Sequence, residues 1–89
     1  MTLFDGGGHT FVRNIISMHD EAGVLINPSS NNIFIRNEIT ENGTVGIELD
    51  DGERNTFIDN LLEDNEDGPC SVDGSSEDNR FKGNDPECE

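Results

Sequence analysis

Apolar residues return along this chain at a fixed long step. Phe11, Phe34, Phe57 and Phe81 each stand three residues before Asn14, Asn37, Asn60 and Asn84, and those asparagines follow one another at 23, 23 and 24 residues. Two residues after each asparagine come Ile16, Ile39, Leu62 and finally Pro86. Ten residues after come Val24, Ile47 and Cys70, and twelve after come Ile26, Leu49 and Val72. Apolar pairs at i and i+2 lie on one face of a short strand. Gly, Asn, Asp and Ser fill the gaps, as tight turns require. Each unit therefore predicts about three short strands joined by turns.

A helical reading fails, because no segment keeps an i, i+3, i+4, i+7 apolar face and turn residues break every unit. A leucine-rich repeat would need a leucine signature that is missing. A unit of this length cannot bury its apolar face alone, so the units stack, and equivalent residues lie over one another about 4.8 Å apart. The expected fold is all-β, a short right-handed parallel β-helix of about three and a half coils.

Gly46-Ile-Glu-Leu-Asp50 and the run Asn-x-Phe-x-x-Asn-x-Ile-x-x-Asn from Asn32 to Asn42 resemble the right-handed parallel β-helix repeat. Pectate-lyase-like proteins and the NosD-type periplasmic copper-binding family share that repeat. The resemblance covers residues 9–89, with residues 1–8 left as an extension or the remnant of a cap. Pro69 departs from the pattern by taking the column of Gly23 and Gly46. One extra residue between Val72 and Asn79 predicts a longer turn at Gly74-Ser-Ser-Glu-Asp78. The resemblance implies an extracellular or cell-surface setting and, in its best-known members, polysaccharide cleavage. The Asn columns, including Asn32, Asn55 and Asn79, read as structural ladders. Asparagine at a strand end tolerates left-handed backbone and bonds its neighbours.

Charge changes the picture more than composition does. Twenty acids face five bases for a net charge of −15, and Lys82 is the lone lysine. Phosphate binding needs basic patches, so nucleic acid is excluded as a partner. An acidic, lysine-poor surface suits high salt, where it stays screened. No apolar run reaches the length of a membrane span, and no signal peptide is recognised. Two cysteines make no disulfide framework. Cys70 reads as a small buried hydrophobe in the column of Val24 and Ile47, and the register disfavours a bond to Cys88.

Stacking also builds acidic columns: Asp50 over Asp73, Glu41 over Asp64, Glu63 over Glu87. Like charges about 5 Å apart repel by about 0.8 kcal/mol in water. Asp50, Asp51, Glu53 and Asp73 form the densest group and are the candidate cation ligands. Calcium, which takes six to eight oxygens, is the ion they would suit, although no known calcium-loop spacing appears. His9 and His19 stand in Asn columns of their own, so they do not combine into a copper site. Arg36–Asp59 and Arg54–Glu77 stack as expected ion pairs. Chance carboxylate pairs are abundant, and no cleft or stacking Trp or Tyr marks a sugar-cleaving centre. No catalytic residue or cofactor is assigned. Val12, Ile35 and Ile58 follow the Phe column by one residue, so they point outward as an apolar strip and a candidate interface. The sequence thus reads as a non-catalytic structural or binding module. Its candidate partners are polysaccharide, adjoining β-helix coils or its own copies. The alternative is a fragment of a polysaccharide lyase or glycoside hydrolase whose active-site coils lie elsewhere.

Overall fold

A computed structural model describes residues 1–74 and 76–88. Its elements are ten short strands: β1 (Thr2–Leu3), β2 (Thr10–Val12), β3 (Ile15–Ser17), β4 (Val24–Ile26), β5 (Ile33–Ile35), β6 (Glu38–Thr40), β7 (Val45–Leu49), β8 (Thr56–Ile58), β9 (Gly68–Val72) and β10 (Arg80–Lys82). They form three sheets, ordered β1-β4-β7-β9, β2-β5-β8-β10 and β3-β6. Every pair is parallel, and each residue meets its counterpart one repeat later: Phe11 with Phe34, Phe34 with Phe57, Ile16 with Ile39, Ile47 with Cys70. Isolated bridges carry the third sheet on through Glu38, Leu61 and Asp85. The chain is a parallel β-helix, as its period predicts.

Residues 1–8 also follow the coil. Thr2 and Leu3 pair with Leu25 and Ile26, and Gly7 bridges Ser30. The longer turn expected at residues 74–78 closes with Ser76 N–H donating to Asp73 C=O at 3.0 Å; Ser75 lies outside the described residues.

The interior follows the apolar columns. Val24, Ile26, Phe34, Ile39, Ile47, Leu49 and Phe57 are wholly buried, with Phe11 and Phe81 half-covered at the two ends. The four Phe rings stack at centroid spacings of 4.7, 5.1 and 5.1 Å. Each fully buried side chain of this size contributes about 1.5–3 kcal/mol.

Three corners bend each coil, and each is a left-handed residue followed by a ladder residue. In the second coil these are Asn31, Arg36 and Glu41, at φ of 61°, 55° and 57°. Asn32, Asn37 and Asn42 come next and point inward. The left-handed backbone therefore falls on the residue before each ladder asparagine, and among the described residues no ladder asparagine has positive φ. A left-handed non-glycine residue costs roughly 1–2 kcal/mol, which the ladders offset.

Each ladder works by one rule. Asn37 N–H and Nδ2 both donate to Asn60 Oδ1 at 2.9 and 3.0 Å, while Asn37 Nδ2 also donates back to Phe11 C=O at 3.0 Å. Asn60 repeats this toward Asn84 and Phe34. Asn32-Asn55-Asn79 and Asn42-Asn65 form the other two ladders. Gly23 and Gly46 leave room for them: a Cβ on Gly23 would stand 2.6 Å from Asn42 Nδ2, and one on Gly46 2.8 Å from Asn65 Nδ2.

One expectation fails. Cys70 and Cys88 are joined in a disulfide, with Cα atoms 5.5 Å apart. Column register describes only vertical neighbours, whereas this bond links two points of a single coil. After Pro86, which is exposed, the tail turns inward and Cys88 enters the core at 9% exposure. Cys70 is therefore a half-buried disulfide partner rather than a free hydrophobe.

Candidate functional site

The proposed cation ligands divide. β7 and β9 end in register at Leu49 and Val72, so the next residues, Asp50 and Asp73, leave the sheet side by side. Their carboxyls share a hydrogen bond, which raises the Asp50 pKa above the ordinary 3.8; desolvation and the charges of Asp73 and Asp51 add to the shift. A carboxyl bonded to a carboxylate favours the protonated form. Glu53 turns to Arg54 instead, at 3.5 Å on an exposed surface. Among the described residues no three His, Cys, Asp or Glu side chains are grouped closely enough to hold a metal ion.

The expected cross-coil ion pairs do not form. Among the described residues Glu53–Arg54 is the one salt bridge, so neither Arg36–Asp59 nor Arg54–Glu77 is made. Arg36, Arg54 and Asp59 are left-handed corner residues, at φ of 55°, 52° and 55°. An exposed pair at such a corner gains little that would hold two long side chains in place.

His9 and His19 head two of the ladders. Their backbone N–H groups donate to Asn32 Oδ1 and Asn42 Oδ1, both at 3.1 Å, and both residues are exposed. They stand on different corners, as their columns require. Beside His19 runs an open trough of about 630 Å³ lined by Met18, Asp20, Glu41, Asp64 and Glu66 among others. The third corner of three successive coils makes this trough. Its acidic character was legible in the Glu41 and Asp64 column, but its concavity was not.

Val12, Ile35 and Ile58 do stack outward on the second sheet, in strict register. Val12 is 47% exposed, while Ile35 and Ile58 are half-buried, and Lys82 follows Ile58. The strip is thus most open at its first member. Other apolar residues of the first coil are exposed as well: Phe4 at 70%, Ile15 at 73% and Met18 at 79%. Reading only the inward columns missed these three. A signal was available, since Ile15 stands where the next coil has Glu38, and Met18 where later coils have Glu41 and Asp64.

Stacked parallel strands, aromatic and asparagine ladders and a constant repeat define a β-solenoid. Residues 1–85 match the family model described as a right handed beta helix region, and the chain belongs to that family. No curated protein and no solved structure matches it. Among the described residues no helix is long and apolar enough to cross a membrane.

Proposed function

We propose that this chain is a non-catalytic β-helix module, a structural or binding segment of a surface protein that works in high salt. One observation carries the reading. The buried polar side chains Asn32, Asn37, Asn42, Asn55, Asn60, Asn65 and Asn84 all bond within or between coils. The polar interior is used to hold the solenoid together, and none of these amides is left over to orient a reacting ligand. The net charge of −15, against one ion pair among the described residues, supports a high-salt setting. The disulfide supports an oxidising compartment. The ladder-built sheet faces offer an extended polysaccharide a regular surface, and Asp50 with Asp73 is the place to test calcium.

The experiment is incubation with polygalacturonate and alginate in molar KCl, with and without calcium. Unsaturated products are read by ultraviolet absorbance and new reducing ends by a colour assay, while affinity electrophoresis reads binding. The expected result is no turnover, with or without retardation of the chain. Calcium-dependent product formation that disappears in Arg36→Gln would overturn the module reading in favour of a lyase.

A further inference from the structure

Positive charge in this chain is confined to one sheet and its corners. Each coil carries a strand of the β2-β5-β8-β10 sheet between two left-handed residues: Gly8 and Arg13, Asn31 and Arg36, Arg54 and Asp59, Asp78 and Gly83. Those four stretches, corners included, contain all five bases, Arg13, Arg36, Arg54, Arg80 and Lys82, against two acids, Asp59 and Asp78. The rest of the chain holds the other 18 acids and no base. A body of net charge −15 therefore carries one face of net charge +3.

The surface between those corners has no acid. The Phe column points inward, so the residues on either side of it point out. They form two columns in strict register: Thr10, Ile33, Thr56 and Arg80, then Val12, Ile35, Ile58 and Lys82. At about 4.8 Å per coil the columns run about 14 Å, and they lie about 7 Å apart. Arg13 and Arg36 stand at the corner beside the second column, and Arg54 at the corner beside the first. All five cationic side chains are exposed. Among the described residues Arg54 alone has a carboxylate partner, Glu53. Arg13, Arg36, Arg80 and Lys82 form no salt bridge there, although acids outnumber bases four to one.

We infer that the outward face of this sheet docks an acidic protein segment that carries aliphatic side chains beside its carboxylates. Cations that the chain's own acids leave unpaired are matched by carboxylates from outside. Arginine holds a carboxylate through two parallel bonds, and a close pair shielded from solvent is screened much less than distant charges are. Four of the five bases are Arg, the charged residue that protein interfaces favour while Lys, Glu and Asp are depleted. Between the cations stand the methyl groups of Val12, Ile33, Ile35 and Ile58, with no Phe ring turned outward among them. Such a strip suits aliphatic side chains better than the flat faces of sugar rings. A second copy meeting this face with its own would set +3 against +3. A nucleic acid long enough to be held would run over the acidic coils on either side. The face is small, so the contact is weak and exchanging, at the low end of protein interfaces. The inference rests on the module reading and names a partner for it.

Amide chemical shifts of the isotope-labelled 89-residue chain in molar KCl, titrated with a short peptide of repeating Asp-Asp-Val-Val, test it. On either side of such an extended peptide Asp and Val alternate. The expected result is saturable shifts centred on residues 10–13, 33–36, 56–58 and 80–82, with none from a Lys-Lys-Val-Val repeat. Arg36→Glu with Lys82→Glu reverses two exposed charges that form no ion pair among the described residues and is expected to weaken binding by about tenfold or more. Arg36→Gln with Lys82→Gln is expected to give a smaller loss and serves if the reversal disturbs the fold. Glu66→Lys, on the acidic third corner, is expected to leave the affinity within about twofold. No binding at millimolar peptide, shifts centred on another face, or unchanged affinity in the charge variants would each overturn the docking. So would polygalacturonate that binds these residues more tightly than the peptide, making the face a sugar surface. Peptide-free shifts there that grow with protein concentration would overturn it too, making the occupant a second copy. Polysaccharide turnover with peptide binding intact would sink the module reading alone. A chain that turns over no polysaccharide and binds no peptide would sink the docking alone.

Discussion

Asn60 is the residue whose loss distinguishes a working ladder from a decorative one. It is 1% exposed and joins three coils. Its Oδ1 accepts Asn37 N–H at 2.9 Å and Asn37 Nδ2 at 3.0 Å, and its Nδ2 donates to Phe34 C=O at 3.0 Å and Asn84 Oδ1 at 2.9 Å. Asn60→Ala leaves Asn37 N–H buried with no acceptor, which costs about 1–3 kcal/mol. The other three groups keep a second partner or part of one. Asn37 Nδ2 retains Phe11 C=O, and Asn84 Oδ1 retains the backbone N–H of residue 60. These add about 1–2 kcal/mol between them. The expected loss is about 2–5 kcal/mol, a large share of the roughly 5–15 kcal/mol that holds a small domain together. Asn14→Ala, at the exposed end of the same ladder, is expected to cost under about 1 kcal/mol. Guanidinium unfolding of both variants at fixed high ionic strength reads the difference, and amide exchange at residue 37 reads its place. If the two variants cost the same, or if Asn60→Ala leaves the Asn37 amide as protected as before, coil-to-coil amide bonding does not stabilise this solenoid as argued.

Cys88→Ser opens a loop of sequence separation 18 and is expected to cost about 3 kcal/mol in thermal or denaturant unfolding; a loss under about 1 kcal/mol would mean that packing alone holds the tail. The raised pKa of Asp50, from its hydrogen bond with Asp73, means that the folded state holds this proton more tightly than the unfolded state does. Its stabilising effect is complete below the ordinary 3.8 and is lost as pH rises through the higher folded value. Asp73→Asn is therefore expected to raise the melting temperature at neutral pH and low salt and to flatten the pH slope just above that value; an unchanged profile refutes the pairing. Melting temperature is expected to rise steeply with KCl as the Debye length falls toward about 3 Å at 1 M. If millimolar calcium at constant ionic strength does as much, a specific site and not bulk screening stabilises the fold.

The period alone determined which residues meet from coil to coil. A 23-residue step superimposes Phe11 on Phe34 and Asn37 on Asn60, so the same burial and bonding recur at each step. The strands, the Phe ladder and the outward set of Val12, Ile35 and Ile58 were legible for that reason. Leu3 was legible by the same rule, standing 23 residues before Ile26, although it falls outside the asparagine phrase. Relations within one coil were not encoded this way. The distance from Cys88 to Cys70 depends on how three left-handed corners fold a single turn back on itself and where the tail leaves it. The same corners gather Met18, Glu41 and Asp64 into one trough. A repeat specifies its vertical contacts because stacking copies them. Contacts across the coil and at its ends arise once, so only the assembled backbone sets them.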